Sequence, residues 1–201
     1  MITIIDYGAG NLESVEKAFD FLGYETLITS DEKTILDSEK IVLPGVGAFG
    51  DAMNMLTSSG LADTVKKAVK KGIPLLGICL GMQMLFESSE EGENVPGLGI
   101  FKGSIKKFEN TPGFKIPQIG WNSIKLREDS RLFKGIPDGA YVYFVHSYYL
   151  DAKDKNIVAA TCDYIHPFDA AVECGNVFAC QFHPEKSGKT GLAILKNFAE
   201  I

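Results

Sequence analysis

Four short stretches of the chain carry residue types able to do covalent chemistry. "GICLG", residues 77–81, sets Cys79 between two glycines, with the apolar "IPLL" before it and the helix-forming "MQMLF" after it. A strand that ends in Gly-x-nucleophile-x-Gly and runs into a helix is a nucleophile elbow, in which the glycines allow a sharp turn that leaves the central side chain exposed. At a helix N-terminus the unpaired N–H groups favour thiolate over thiol. The N–H of Leu80 would then face the oxygen of a carbonyl under attack. The competing reading is a buried, inert thiol, a common state of free cysteine; the glycine spacing alone does not decide between the two.

A thiolate nucleophile needs a base, and the chain has three histidines. His183, in "CQFHPEKSG", is followed two residues later by Glu185. Read as a strand, the segment puts both side chains on one face, where the carboxylate can hold one ring nitrogen while the other meets the thiol. Cys79, His183 and Glu185 are therefore a candidate catalytic triad. His146, in "YFVHSYY", has no carboxylate nearby and reads as structural or pocket-lining; His166, in "DYIHPFD", reads as a surface turn residue. No two histidines or cysteines have short ligand spacing, so neither a metal nor another cofactor is expected. "LPGVGAFGD", residues 43–51, packs three glycines into six positions after a strand. Such a loop brings backbone N–H groups close to an oxyanion, whereas a phosphate loop would need a Gly-Lys-Ser/Thr that does not follow it. Val46 and Gly47 thus form one half of a candidate oxyanion hole and Leu80 the other. "DYGAGN", residues 6–11, reads as a tight turn beside the same crevice.

These residues need a scaffold that holds loop ends together, and the first half of the chain spells one. "ITIID" (2–6), "YETLIT" (24–29), "KIVLPG" (40–45) and "IPLLGIC" (73–79) read as strands. They alternate with a helix from near Asn11, one or two helices over 51–71 broken at 58–60, and a helix from Leu80 to about Glu87. Strand and helix in alternation give a parallel sheet with helices on both faces. From about Leu98 short β-rich runs separated by Gly, Pro, Asp and Asn replace this grammar and read as an antiparallel extension. A last helix, "GKTGLAILKNFAEI", packs through Leu192, Leu195 and Phe198. The expectation is one α/β domain over 1–201, flavodoxin-like, with a mostly parallel central sheet and an antiparallel β extension in the C-terminal half.

Composition excludes several function classes. The chain has 201 residues, 45 % hydrophobic and 23 % charged, enough to bury about 70 % of its unfolded surface without disulfides. A net charge of −6 argues against a nucleic-acid partner, and the lysines of "KKAVKK" (66–71) read as a solvated helix face. The longest apolar run, Ile73 to Met82, falls short of the roughly 18 to 20 residues of a membrane span, and the N-terminus lacks a signal-peptide pattern. Four cysteines without a Cys-x-x-Cys pair fit reduced thiols in the cytoplasm.

Taken together, "PGVGAFG", "GICLGMQ", "YFVHSYY" and "QFHPEKSG" resemble the triad-type class I glutamine amidotransferase family, whose signature is a cysteine elbow followed by His-x-Glu about a hundred residues later. With "DYGAGN", "CLGMQMLFESSEE" and "GWN" the likeness is strongest to the branch that serves histidine biosynthesis, and it runs from Ile4 to about Phe198. The resemblance implies glutamine as substrate and a glutamyl thioester on Cys79. It also implies that Gln83 and Glu91 help hold glutamine, Glu91 at its α-amino group, with Gly47, Ser147 and Tyr148 lining the pocket. On residue type alone, Gln83 reads as helix surface and Glu91 as loop charge.

Ammonia released into neutral water is protonated and ceases to be a nucleophile, and this length leaves no room for a second catalytic domain. A docked synthase subunit follows. The resemblance implies a heterodimer with a (β/α)8-barrel cyclase that makes imidazole glycerol phosphate and AICAR. "PQIGWN", with Pro117, Trp121 and Asn122, then becomes the docking surface and Lys186 a rim contact; without the resemblance, Trp121 reads as core. The glycines flanking Val46 permit a peptide flip, so the isolated chain is expected to hydrolyse glutamine poorly. The rival readings are a glutaminase for anthranilate or aminodeoxychorismate synthase, a cysteine hydrolase of similar fold that ignores free glutamine, and a binding module with a vestigial triad.

Overall fold

The computed structural model describes residues 1–92 and 95–201. Period-two alternation in the strands decides which side chains meet which helices. In β1 (Ile2–Ile5), β3 (Lys40–Leu43) and β4 (Leu75–Ile78), Ile2, Ile4, Val42, Leu76 and Ile78 face one core, while Ile5, Ile41, Leu43 and Leu75 face the other. The first core is covered by α1 (Leu12–Phe21) through Val15, Ala18 and Phe19, and by the C-terminal helix Gly188–Glu200 through Ile194, Leu195 and Phe198. The second lies under α2 (Glu32–Leu36), α3 (Phe49–Ser58) and α4 (Leu61–Lys71). Helices 3 and 4 break at Gly60, in the left-handed region at φ 78°, where the sequence places the interruption.

With β2 (Thr26–Thr29) and the late strand Val177–Cys180, the parallel strands run in the order β2, β1, β3, β4, then that late strand. This is the flavodoxin-like order 2-1-3-4-5. Beyond it the pairings are antiparallel, except for a short parallel ladder between Ser88–Ser89 and Gly103–Lys107. β5 (Ser88–Ser89), β6 (Gly103–Lys107), β7 (Gln118–Leu126), β8 (Tyr141–His146), β9 (Tyr148–Ala152), β10 (Val158–Asp163) and β11 (Pro167–Cys174) precede the late strand, which is β12. β12 pairs parallel with β4 and antiparallel with β11, so it joins the two halves.

Three expectations change. The helix at Glu32–Leu36 is additional, started by Asp31, whose carboxylate accepts from the Thr34 N–H at 2.8 Å. The run "AYVYFVHSYYL" is two strands: Ser147 breaks it, sending β8 to pair with β7 and β9 with β6 and β11. The helix after Cys79 is a single turn, α5 (Leu80–Gln83), rather than reaching Glu87. The next amides leave the α pattern: Leu85 and Phe86 N–H bond the Met82 and Gln83 carbonyls, three residues back, at 3.1 and 3.2 Å, and Glu87 N–H goes to the Gly103 carbonyl at 3.3 Å. The C-terminal helix is thus α6.

Candidate active site

The loops after β1, β3, β4 and β12 meet at the carboxyl edge of the parallel strands, the usual ligand crevice of such sheets. A cavity of about 380 Å³ opens there. Its walls include Val46, Gly47, Cys79, Leu80, Gln83, Glu91, Pro117, Ser147, Tyr148, His183 and Lys186. Residues spread over 140 positions of sequence, from Val46 to Lys186, thus line one cavity. Of the remaining residues singled out, Glu185 lies behind His183, while Trp121 and Asn122 lie on the neighbouring β7.

Cys79 has φ 55° and ψ −111°, alone among the described non-glycine residues in having positive φ. That geometry is what the elbow demands. The turn closes so tightly that a Cβ on Gly81 would collide with the Leu43 carbonyl, and one on Gly45 would stand 2.8 Å from the Gly81 nitrogen. Backbone against backbone cannot relax as side chains do. Gly81→Ala is therefore expected to cost about 3 kcal/mol or more of stability, read as a lower urea midpoint; an unchanged midpoint would show that the β3 and β4 loop ends are not wedged together. The first intrahelical bonds run from Met82 and Gln83 N–H to the Cys79 carbonyl at 3.0 and 3.2 Å. Leu80, at the first helical position, has no helical acceptor for its N–H. One helical turn offers little macrodipole, so a thiolate here depends on its side-chain neighbours instead.

Those neighbours are His183 and Glu185. β12 ends at Cys180, so the pair is not carried on a strand as the alternation suggested. Instead His183 leads into a 3-10 turn, Pro184–Lys186, closed by Lys186 N–H to the His183 carbonyl at 3.0 Å. Pro184 fills the first turn position, where no N–H is required. The turn brings Glu185 Oε1 to 2.7 Å from His183 Nδ1, with both side chains buried. Burial disfavours the charged imidazole, but hydrogen bonds and charge from Cys79 and Glu185 outweigh it and raise the His183 pKa to about 10. Imidazole and carboxylate are thus in hydrogen-bond contact, and the imidazole shares a cavity wall with Cys79, with the backbone of His183 fixed by donation to the Tyr143 carbonyl at 2.9 Å.

The loop at 44–50 is held from below. The Tyr7 hydroxyl of "DYGAGN" donates to the Pro44 carbonyl at 3.0 Å, and burial, then the charge of Cys79, push its pKa up. Gly47 takes φ 92°, open to glycine and costly for other residues. Glu91 faces the cavity half-buried and also caps α3, accepting from the Phe49 N–H at 2.9 Å. Burial raises its pKa first, opposed by that hydrogen bond. Asn122 is engaged within the chain, donating to the Asp163 carbonyl at 2.9 Å and accepting from Ser123 N–H at 2.8 Å. His146 lines the cavity as a buried neutral ring; burial lowers its pKa to about 4, and Nδ1 meets the Tyr148 carbonyl at 2.8 Å. His166 is half-buried against Tyr149 and Phe108, not a bare surface residue. No cluster of metal-binding side chains occurs among the described residues. Sequence reasoning missed Gln181, fully buried with Nε2 at 3.6 Å from the Cys79 sulfur. A lone polar residue in the apolar "VFACQF" was the available signal.

Comparison with known proteins gives this geometry a family. The model described as "Glutamine amidotransferase class-I" matches residues 3–201, and the chain belongs to that family. Within it the chain stands among relatives named imidazole glycerol phosphate synthase subunit HisH. The one from Caldanaerobacter subterraneus subsp. tengcongensis is 53 % identical over 201 residues, covering 100 % of this chain and 98 % of the relative. Those from Moorella thermoacetica and Bacillus cereus are 47 % and 50 % identical, covering 100 % of this chain and 94 % and 95 % of theirs. Among solved structures, one described as a glutamine amidotransferase has a TM-score of 0.77 at 19 % identity, covering 100 % of this chain and 98 % of that one. PurLQS from Thermotoga maritima matches with a TM-score of 0.74 at 22 % identity, over 99 % of this chain and 97 % of that one. These two speak to the fold.

Proposed function

We propose that the chain is the glutaminase subunit of an imidazole glycerol phosphate synthase, folded as a single domain over 1–201 and working in the cytoplasm with its thiols reduced. The observation that carries the reading is the His183–Glu185 hydrogen bond of 2.7 Å at the wall of the cavity that Cys79 also lines. Near 50 % identity to HisH subunits over the full chain selects the branch. No helix of the described residues is long and apolar enough to cross a membrane, and the cysteines are free.

In the proposed reaction Cys79 Sγ attacks the side-chain carbonyl carbon of glutamine. The carbonyl oxygen gains negative charge, received by the Leu80 N–H and by the backbone at Val46 and Gly47. Collapse breaks the C–N bond, and His183 protonates the departing nitrogen, releasing ammonia and leaving a glutamyl thioester. Water then attacks with His183 as base; the C–S bond breaks, and glutamate leaves. Glu91 is suited to the substrate ammonium, since one carboxylate oxygen is committed to Phe49 and the other remains for the ligand. Gln83, Ser147 and Tyr148 complete the pocket.

The ammonia goes to a (β/α)8-barrel cyclase that makes imidazole glycerol phosphate and AICAR. Support for a docking face comes from exposed apolar side chains on the β7–β8 ribbon beside the cavity: Ile119 at 63 % exposure, Trp121 at 54 % and Tyr141 at 59 %. Trp121 pairs across the ribbon with Tyr143, whose carbonyl holds the His183 backbone. Pro117 and Lys186 rim the opening. Tryptophan and tyrosine are the side chains that most often anchor interfaces. The deciding measurement is glutamine hydrolysis by the chain alone and with the cyclase plus its nucleotide substrate. A rise of about 10²-fold or more on complex formation is expected, because charge stabilisation by an oxyanion-hole donor is worth that much. Full activity in the isolated chain would refute the partner-dependent loop at Val46, and stimulation by an anthranilate synthase subunit instead would reassign the pathway.

A further inference from the structure

Beneath the cavity floor a line of buried polar groups ends on the nucleophile, and its direction is fixed by chemistry at the other end. The Tyr148 carbonyl can only accept. It receives His146 Nδ1 at 2.8 Å and Gln83 Nε2 at 3.3 Å. Gln83 must therefore present its NH2 group, and the second hydrogen of that group goes to Gln181 Oε1 at 2.9 Å. With its oxygen committed, Gln181 has only its own NH2 left for the Cys79 sulfur, 3.6 Å away. Turning the Gln181 amide over would set NH2 against NH2 and oxygen against sulfur. Gln181 has no exposed surface, so water cannot substitute for either contact.

We propose that Gln181 is an additional functional residue of the site: an amide donor, oriented by the Tyr148 carbonyl through Gln83, that holds the Cys79 sulfur and favours its thiolate. The sulfur carries negative charge twice in the cycle. It does so before attack, and again when water adds to the thioester carbon and the C–S bond breaks with its electron pair passing to sulfur. A fixed N–H at Sγ stabilises both states without touching glutamine, since Gln181 does not line the cavity. The same line ties the sulfur to the wall formed by Ser147 and Tyr148, so a shift of that wall reaches the nucleophile through two amides. This role rests on reading Cys79 as the nucleophile.

The test is the pH dependence of iodoacetamide alkylation at Cys79 in the full chain, followed by mass spectrometry of the Cys79 peptide so that exposed Cys174 does not contribute. Gln181→Met keeps the length and removes the donor. It is expected to raise the apparent thiolate pKa and slow alkylation at neutral pH about ten-fold, as loss of a hydrogen bond to a charged group should. Glutamine turnover should fall with KM unchanged. Gln181→Glu should slow alkylation further, because a carboxylate facing the thiolate repels it. A profile in Gln181→Met superimposable on the parent's overturns the proposal. Should the variants not fold, the parent chain still decides: the 15N-labelled Gln181 side-chain amide must shift as Cys79 titrates and lose that response in Cys79→Ala, and an amide that ignores the titration is no donor. Alkylation reads the sulfur itself, so failure here is separable from failure of the glutaminase assignment, which Cys79→Ala turnover reports.

Discussion

Replacing Cys79 by alanine is expected to lower glutamine turnover by roughly 10⁴-fold or more while leaving the fold and the docked complex in place. The change removes one sulfur from a residue that is 8 % exposed at a turn, and the neighbouring Cys180 thiol is fully buried and donates to the Phe182 carbonyl at 3.5 Å. Glutamine consumption and the far-UV spectrum are measured on the same preparation; turnover that survives in a folded variant would dismiss the triad. A second comparison isolates the backbone. At φ 55° and ψ −111° a residue with a Cβ is strained by about 1–3 kcal/mol, and glycine is not. Cys79→Gly should therefore unfold at higher urea than Cys79→Ala, both lacking the sulfur. The reverse order would mean that the elbow stores no strain and that packing around the Cβ dominates.

The elbow was legible in the sequence because its constraints are local: Gly81 has no alternative against the Leu43 carbonyl, and strand, turn and helix signals follow one another. The glycine loop at 44–50 and the His183–Glu185 pairing were legible for the same reason, although a proline-led turn rather than a strand makes the pair. What stayed hidden is long-range. Nothing in "MQMLFES" reveals that the Glu87 N–H is claimed by the Gly103 carbonyl while the Leu85 and Phe86 amides tighten to three-residue spacing, which ends the α-helix after Gln83. Nor does residue type reveal that Gln181, 98 positions from Gln83, orients against it. Ser147 breaks an unbroken β pattern only because β8 and β9 have different partners. Periodicity predicts faces; it cannot predict which backbone groups a distant segment will take.

Glu185→Gln separates the charge of the third residue from its shape. Glutamine keeps an oxygen for His183 Nδ1 but withdraws the carboxylate 2.7 Å away. In the parent, His183 is raised from its ordinary value to about 10. Its ionised form thus contributes stability in full below the unfolded histidine pKa of about 6.5, and the contribution is lost as pH rises through about 10. The same imidazolium is the acid that protonates departing ammonia, so the alkaline limb of kcat/KM follows it. In Glu185→Gln that limb should move down by about one pH unit or more, and kcat at neutral pH should fall by roughly 10²- to 10⁴-fold. The stability lost between neutral and alkaline pH should shrink along with it, because less of the shift remains to be released. An unmoved alkaline limb would show that the carboxylate only orients the ring and that the Cys79 thiolate supplies the charge.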